Sequence, residues 1–320
     1  EVSSRSNFIK KAIGGISGIV ATRKTPALAR DMGVLKIGQL GLGSHGFAAR
    51  FKTPPSKFKE VIRCKPYAVW DDYPGVAEGM MKNMGFEKVI DDPLEVVKES
   101  DVIHIEHADY RKSLELARPA LEAGKPVFIN RPFTDTIASA EEIVRLARSY
   151  NAPLMSASSL EFQPEISEIQ KFVEEKGPVR SYVAYCPEPM FTWMFPHVIN
   201  FAHAALGGGI ESAYFTGSYV MDLVHIKIEN GEWVDPQKGS IGSTVSILTY
   251  KSRNGEPPIL GINMIGSSPG TYHLNIYAAR ENRIFAPGQR DQSNVFEHMF
   301  LKLNEFFINR IPPRPYEAIL

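Results

Sequence analysis

The chain has 320 residues, of which 36 are Lys or Arg and 36 are Asp or Glu, so its formal net charge at pH 7 is zero. This balance excludes a strong overall attraction to nucleic acid or to an anionic membrane surface, and we expect neither as a partner. The length is typical of about two domains. The two cysteines, Cys64 and Cys186, lie far apart and predict buried thiols rather than a metal site.

Residues 1–29 precede the first predicted domain and have features of an export signal. Ser4–Lys11 resembles a twin-arginine motif in which Ser6 stands in place of the second arginine. A mildly apolar run follows, and Ala27–Ala29 offers an A-x-A cleavage site. The segment predicts a periplasmic or otherwise exported protein, and the alternative is an N-terminal arm of a cytoplasmic protein. No apolar run reaches the roughly 18 residues that would span a membrane.

Between residues 30 and 157, apolar strand-like runs alternate with helical patterns. Such alternation is typical of βαβ units, so we predict an α/β domain with a doubly wound parallel sheet of the Rossmann type. Gly124 directly follows one helical pattern, as glycine often does at the end of a helix. The predicted strands are 36–40, 67–71, 88–90, 101–106, 126–130 and 152–156, and the predicted helices are 76–84, 93–99, 110–123 and 136–150.

The first predicted strand leads into Gly41-Leu42-Gly43-Ser44-His45-Gly46, which reads G-x-G-x-x-G. In a dinucleotide-binding loop the first glycine permits a tight turn, and the second lets the backbone approach a pyrophosphate. The third allows a helix to pack closely on the strand. The free N–H groups near Ser44 and His45 would face phosphate oxygens. We therefore predict that Gly41, Gly43, Ser44, His45 and Gly46 bind a dinucleotide.

A carboxylate at the end of the second predicted strand suits the adenosine ribose. Asp71 occupies this position, and the hydroxyl groups of a ribose donate hydrogen bonds to such a carboxylate. The next residue is Asp72 rather than an arginine that would accept a 2′-phosphate. We therefore expect NAD as the cofactor in preference to NADP.

The fourth predicted strand carries polar residues where apolar ones are usual. A central parallel strand is buried on both faces, yet His104, Glu106 and His107 lie at its carboxyl end. Buried charge is costly unless it is paired or has a function. These residues either form a satisfied His–Glu pair under a loop or line the cofactor or substrate site. We include Glu106 and His107 among the candidate cofactor-binding residues.

Residues 158–320 have a different pattern, which predicts a second, α+β domain for substrate binding and oligomerisation. Its sheet is expected to be large, open and mostly antiparallel, because Asn230-Gly231 and Asn254-Gly255 are strong hairpin signals. The predicted helices are 164–175, 196–206 and 293–309, and the predicted β-rich segments are 211–228, 243–250, 259–265 and 272–279.

The residues after the fifth predicted strand, Asn130-Arg131-Pro132, make a family resemblance specific. Together with the glycine motif, the L-E-A-G-K-x-V sequence and the Pro-Leu-Met strand, they resemble the Gfo/Idh/MocA oxidoreductases. The resemblance implies a Rossmann domain followed by an α/β domain, and a homo-oligomer formed through the C-terminal sheet. It also places Asn130 and Arg131 at the cofactor and the reacting carbon. Family members carry Glu-Lys-Pro there, and arginine, unlike lysine, cannot release a proton at accessible pH.

The resemblance also implies a general base on a helix of the second domain. The family pattern D-x-x-x-H-x-x-D matches residues 193–200, where His197 is retained but Trp193 and Asn200 replace the acidic residues. The intrinsic pKa of histidine suits a base that takes a hydroxyl proton as hydride leaves for NAD. We therefore predict His197 and Arg131 as the catalytic residues. His197 and His203, six positions apart, do not share a helix face, so no metal site is predicted.

These features predict an NAD-dependent oxidoreductase that acts on a sugar, a polyol or a related hydroxyl compound. Two alternatives remain open on the sequence. One is an NAD-dependent glycosidase, which oxidises and re-reduces the sugar during bond cleavage. The other is a cofactor- or sugar-binding protein that kept the fold and lost the chemistry, because the family lysine and acidic residues are replaced.

Overall fold

The computed structural model describes residues 33–42, 51–52, 54, 58–73, 75–187, 191–217, 227–229, 232–234, 244–252, 256–266, 271–287 and 292–320. Residues 35–320 form one unit, which contains both sheets. The predicted export signal at 1–29 and the predicted phosphate-binding residues Gly43, Ser44, His45 and Gly46 lie outside the described residues.

The first sheet is parallel throughout and has the strand order β3-β2-β1-β4-β5-β6. This order confirms the predicted doubly wound Rossmann sheet. Strands β2 and β3 lie on one side of β1, and strands β4, β5 and β6 lie on the other. The strands are β1 Leu35–Leu40, β2 Cys64–Trp70, β3 Lys88–Val89, β4 Val102–Ile105, β5 Val127–Ile129 and β6 Leu154–Met155.

Helices cover this sheet on both faces, as its apolar strands require. The helices between the strands are α1 Val76–Met84, α2 Pro93–Glu99, α3 Ser113–Glu122 and α4 Ile137–Ser149. Apolar residues of α2, α3 and α4 pack against β4, β5 and β6. The predicted helix at 110–123 begins as a 3-10 turn, Tyr110–Lys112, and α3 continues through Pro119.

The second sheet is mixed, with the order β14-β13-β7-β12-β11-β8, and only the β7–β12 pair is parallel. The mostly antiparallel sheet is therefore confirmed. Strands β7 and β14 were not predicted. A separate antiparallel pair, β9 and β10, flanks the predicted turn at 230–231. The strands are β7 Val179–Cys186, β8 Ile210–Gly217, β9 Lys227–Glu229, β10 Glu232–Val234, β11 Thr244–Tyr250, β12 Leu260–Ile265, β13 His273–Ala278 and β14 Asn282–Phe285.

Three further helices follow β6 in the chain. They are α5 Glu165–Lys176, α6 Phe191–Leu206 and α7 Gln292–Asn309. Helices α5 and α6 cover one face of the second sheet. The predicted start of α6 at Pro196 was wrong, because proline favours the first turn but here lies inside the helix. Helix α7 packs its phenylalanines on the first sheet, against β1, β4 and β5.

Two further expectations concern the cysteines and the membrane. Cys64 and Cys186 are both buried free thiols, as predicted. Burial raises the pKa of the Cys64 thiol to about 12. Among the described residues, no helix combines the length and the apolar character that crossing a membrane requires.

Gly261 provides a test of the packing between β12 and β7. A Cβ at this position would lie 2.3 Å from Cζ of Tyr182, which is fully buried and whose hydroxyl is 2.7 Å from the hydroxyl of Tyr250. We expect Gly261→Ala to lower the free energy of unfolding by about 1–3 kcal/mol, because the ring cannot move away without strain. Urea denaturation measures this change.

The matched control is Gly208→Ala. The nearest atoms to a Cβ there belong to His203 at 3.8 Å, an ordinary contact. This variant should unfold at nearly the same urea concentration as the wild type. Equal stability of the two variants would contradict the packing that the structure describes.

Candidate functional site

The candidate site lies at the carboxyl edge of the first sheet, where the strand order reverses between β1 and β4. Ligands of doubly wound sheets bind outside this edge, at the point of reversal. The residues that follow β1, β2, β4 and β5 therefore face the same region. The chain places Gly41, Asp71, Glu106 and Asn130 directly after these strands or one residue beyond.

Gly41 makes the turn at the end of β1, and no other residue fits there. Its φ is +86°, and its N–H donates to the carbonyl oxygen of Trp70 at 2.8 Å. A Cβ at position 41 would lie 2.3 Å from Cα of His107, which is backbone and cannot move aside. The loop that follows therefore starts from a tight turn packed against the end of β4, as the first glycine of a dinucleotide-binding loop requires.

Asp71 directly follows β2 and is bonded to the start of the glycine loop. Its carboxylate accepts hydrogen bonds from the N–H groups of Leu42 and Tyr73, both at 2.8 Å. Burial raises the pKa of Asp71, while these hydrogen bonds and His107 act in the opposite direction. Each carboxylate oxygen has a further lone pair, so Asp71 can still accept hydrogen bonds from a ribose.

His107 points towards β2 rather than towards the end of β5. Its Nε2 lies 2.8 Å from Asp72 Oδ1, and its ring stacks on both Trp70 and Tyr73. Lys112 also hydrogen-bonds to Asp72. Partial burial acts to raise the pKa of Asp72, but the hydrogen bonds from Lys112 and His107 lower it overall. His107 therefore belongs to the side of the site where Asp71 lies.

Asp71, Asp72 and His107 bring potential metal-ligand atoms within 4.8 Å of one another. Protein groups already engage these atoms. The Asp71 oxygens accept two backbone amides, and Asp72 is paired with Lys112 and His107. The arrangement is explained without a metal ion.

Glu106 faces the opposite side, towards the end of β5. Asn130 Nδ2 donates to Glu106 Oε1 at 2.7 Å, and His104 Nε2 lies 3.5 Å from Glu106 Oε2. The amide of Arg131 donates to Asn130 Oδ1 at 2.9 Å. The polar residues of β4 are thus divided between two parts of the site, and Glu106 fixes the turn that carries Arg131.

Arg131 and His197, predicted separately, are in contact. Arg131 Nε lies 2.6 Å from His197 Nε2 and 3.3 Å from Nδ1. Both residues are at least 95% buried. An arginine nitrogen only donates hydrogen bonds, so Nε2 must be an acceptor. His197 Nδ1 also lies 2.6 Å from the hydroxyl oxygen of Ser158, which can donate or accept in this contact.

Three residues behind His197 were not predicted as part of the site. Ser158 starts a 3-10 turn and accepts from the N–H of Leu160 at 3.1 Å, while its own N–H donates to Glu161 Oε1 at 2.7 Å. Arg314, close to the C-terminus, lies 2.7 Å from Glu161 Oε2. Full burial raises the pKa of Glu161 to about 7, although Arg314 acts to lower it.

The sequence contained a signal for part of this arrangement. Ser158 and Glu161 form a capping box, S-x-x-E, which is recognisable from spacing alone. Arg314 had no comparable signal. It lies in a run of prolines far along the chain, and only the folded structure brings it to Glu161.

Comparisons with known proteins show which family and which folds the chain is similar to. Residues 35–158 match the Gfo/Idh/MocA family, described as an oxidoreductase family with an NAD-binding Rossmann fold. A curated relative, the uncharacterized protein YMR315W of Saccharomyces cerevisiae, is 28% identical over 120 residues. The match covers 35% of this chain and 34% of the relative, so it spans about a third of that protein.

Solved structures extend the likeness in fold to most of the chain. One is scyllo-inositol dehydrogenase from Lactobacillus casei with NAD(H) and scyllo-inositol, with a TM-score of 0.67, 16% identity, and coverage of 89% of this chain and 93% of that one. Another is biliverdin reductase from Synechocystis sp. PCC 6803 in complex with biliverdin and NADP+, with a TM-score of 0.61, 14% identity, and coverage of 89% and 94%.

At these identities the solved structures establish the fold alone, and the family match covers the part of the chain that contains the first sheet. The parallel sheet, the turn at Gly41 and the carboxylate of Asp71 all lie within the matched residues. Residues 35–158 of the chain are therefore similar to the Gfo/Idh/MocA family, whose model describes oxidoreductases with an NAD-binding Rossmann fold.

Proposed function

We propose that the protein is an NAD-dependent dehydrogenase that acts on a sugar, a polyol or a related hydroxyl compound. The observation that carries the proposal is the contact between Arg131 and His197. It joins the carboxyl edge of the nucleotide-binding sheet to helix α6 of the second sheet. A proton acceptor and a fixed positive charge thus lie side by side next to the cofactor edge.

The residues at the edge fit a nicotinamide dinucleotide. Gly41 forms a turn that a Cβ would fill, and Asp71 offers carboxylate oxygens for ribose hydroxyls. The residue after Asp71 is Asp72 rather than an arginine that would accept a 2′-phosphate, and this supports NAD over NADP. When bound, the cofactor supplies hydride transfer to or from a substrate carbon.

His197 is suited to accept the substrate's hydroxyl proton. Its Nε2, which Arg131 Nε contacts in this structure, is the atom that would take the proton. A substrate hydroxyl would take the place of the guanidinium at Nε2. The resulting imidazolium would keep its Nδ1 proton on Ser158.

Arg131 is suited to hold the substrate rather than to transfer a proton. Its guanidinium stays charged and has five N–H donors, so it can bind two substrate oxygens at once. Asn130 and Glu106 fix the backbone that carries it. A compound with adjacent hydroxyl groups matches such donors. The bound inositol in the dehydrogenase from Lactobacillus casei supports this substrate class.

We also propose a homo-oligomer formed by a second copy on the open face of the second sheet. Helices α5 and α6 cover one face, whereas the other exposes apolar side chains, among them Ile247 at 36% and Ile284 at 62%. Directly opposed residues share a face. One row across the sheet consists of Tyr214, Ile247, Ile262, Val183, Asn275 and Ile284.

The first prediction concerns cofactor binding. The purified protein should bind NAD and NADH in calorimetric titrations. Asp71→Asn should weaken NAD binding by about 10- to 100-fold, because it removes a charged acceptor of the ribose hydrogen bonds. The exposed substitution Glu141→Gln is the matched control and should leave NAD affinity unchanged.

The response to NADP tests the assignment of Asp71. Loss of the Asp71 charge should leave NADP binding unchanged or tighten it, because the repulsion of the 2′-phosphate decreases. Equal weakening of both cofactors would contradict the role of Asp71. Absence of any binding of NAD to the wild type would contradict the proposed function as a whole.

The second prediction concerns catalysis. With a panel of inositols and sugars, NADH formation should be lower in His197→Gln by roughly 10²–10⁴-fold, because the proton acceptor is lost. Arg131→Lys should also lower turnover, since one ammonium cannot reproduce the planar set of donors. NAD affinity should stay close to that of the wild type in both variants. Arg145→Lys, at an exposed position of α4, is the control.

The other outcomes distinguish the alternatives. Cleavage of an aryl glycoside without net NADH formation would assign the protein to the NAD-dependent glycosidases. Binding of NAD without turnover of any hydroxyl compound would indicate a binding protein. A rise in activity in Arg131→Lys would contradict the substrate-holding role of Arg131.

The third prediction concerns assembly. Sedimentation velocity should give the wild type a mass that is a multiple of 35.6 kDa. Ile247→Lys should shift the distribution to the monomer, because it places a charge in the centre of the apolar face. Ile137→Lys, at an exposed position of α4, should not change the mass. A monomeric wild type, or an assembled Ile247→Lys variant, would contradict the proposed interface.

A further inference from the structure

Arg131 and Ser158 make their shortest contacts with different nitrogens of His197. Arg131 Nε lies 2.6 Å from Nε2 and 3.3 Å from Nδ1, whereas Ser158 Oγ lies 2.6 Å from Nδ1. The same oxygen accepts from the N–H of Leu160 at 3.1 Å. The position of Ser158 therefore sets the orientation of the imidazole ring, and any shift of Ser158 changes where Nε2 points.

Ser158 is in turn held by a buried ion pair. Its N–H donates to Glu161 Oε1 at 2.7 Å, and Glu161 Oε2 is 2.7 Å from Arg314 Nη1. Asn200, one helical turn beyond His197 on α6, also hydrogen-bonds to Glu161. The Glu161 side chain is 4% exposed and that of Arg314 is 19% exposed. Both charges are thus largely removed from solvent.

The segment after α7 brings Arg314 to this position. Arg314 Nη2 donates to the carbonyl oxygen of Ser156 at 2.6 Å, two residues before Ser158. Nearby, the hydroxyl of Tyr316 donates to the carbonyl oxygen of Ala152 at 3.0 Å. Arg314 therefore holds the turn at two points, the backbone at Ser156 and the side chain of Glu161.

Stability alone gives a weak reason for such a pair. Burying two charges costs solvation free energy that their attraction recovers only in part, and apolar residues of similar size often stabilise a protein as well. A buried pair does, however, fix the geometry of its partners. Here the partner is the turn that holds His197.

We propose that Glu161 and Arg314 are positioning residues for His197. Their ion pair fixes the turn at Ser158, and Ser158 holds the Nδ1–H group, so that Nε2 is presented beside Arg131. Neither residue touches the substrate. The inference rests on the proposed function, because the value of a fixed Nε2 is that it accepts a substrate proton.

Nuclear magnetic resonance of the full chain tests this directly. With ¹⁵N-labelled histidine, the signals of the eight histidines are compared with those of His197→Gln to assign His197. The wild type should show His197 as the Nδ1–H tautomer. Arg314→Met, Glu161→Gln and Ser158→Ala should each shift its two nitrogens towards a mixture of tautomers. Arg310→Met is the matched control, because its guanidinium bonds to Gly124 instead.

Kinetics supply the second measurement. Arg314→Met should lower kcat by about 10- to 100-fold while NAD affinity stays unchanged, because misplacement of a reacting group reduces turnover. Arg314→Lys, which keeps the charge, should restore part of the activity. A merely structural role would instead lower NAD affinity or the fraction of folded protein along with kcat.

The outcomes separate this inference from the proposed function. An unchanged tautomer in both Glu161→Gln and Arg314→Met would overturn the positioning role, whatever the activity. If Arg314→Met fails to fold, the isosteric Glu161→Gln decides the question. If the substitutions change the tautomer of His197 but the wild type turns over no hydroxyl compound, the positioning role is supported and the proposed dehydrogenase activity is contradicted.

Discussion

The hydrogen bond from Arg131 to His197 joins parts of the chain that are far apart in sequence, and it constrains both residues. A guanidinium has no acceptor atom, so the imidazole nitrogen that faces it must have a free lone pair. Arg131 Nε is nearest to Nε2 of His197, and Nδ1 lies beside the hydroxyl of Ser158. Arg131 also gives the site a permanent positive charge that no change of pH removes. The chemistry available to the site follows from this pair.

The first sheet makes this contact possible. The strand order reverses between β1 and β4, and doubly wound sheets bind their ligands at the carboxyl ends of the strands beside such a reversal. The polar residues at the end of β4 make contacts on both sides of this point. His107 faces Asp72 on the side of β2, and Glu106 faces Asn130 on the side of β5. The side chains that are unusual for a buried strand therefore each have a defined partner.

Local sequence patterns predicted most of the helices and strands, but they did not predict the contacts between elements that are far apart in the chain. Alternating strands and helices predicted the first sheet, and the antiparallel character of the second followed from its turn signals. Strand β7 was missed, because Arg180 and Ser181 interrupt its apolar alternation near the start. The sheet against which α7 packs was not predictable either. An amphipathic helix shows which face it buries but not which sheet covers that face.

The same distinction applies to the site. Arg131 and His197 were predicted from family motifs as single residues, and their contact depends on how α6 is placed relative to the turn after β5. The capping box of Ser158 and Glu161 was visible in the sequence, but its relevance appears only once His197 is seen to bond to Ser158. Arg314 could not be placed, since sequence distance carries no information on contacts between separate elements.

The site therefore contains two kinds of residue: those proposed to contact the substrate, and those that hold them in place. Arg131 and His197 lie where the chemistry would occur, and both are held from behind by hydrogen bonds within the protein. Arginine keeps its proton at accessible pH, so of this pair only the imidazole can take up or release a proton. A lysine at position 131 could release its own proton. In the proposed mechanism, arginine in place of the family lysine therefore leaves proton transfer to His197, and Ser158 orients that ring.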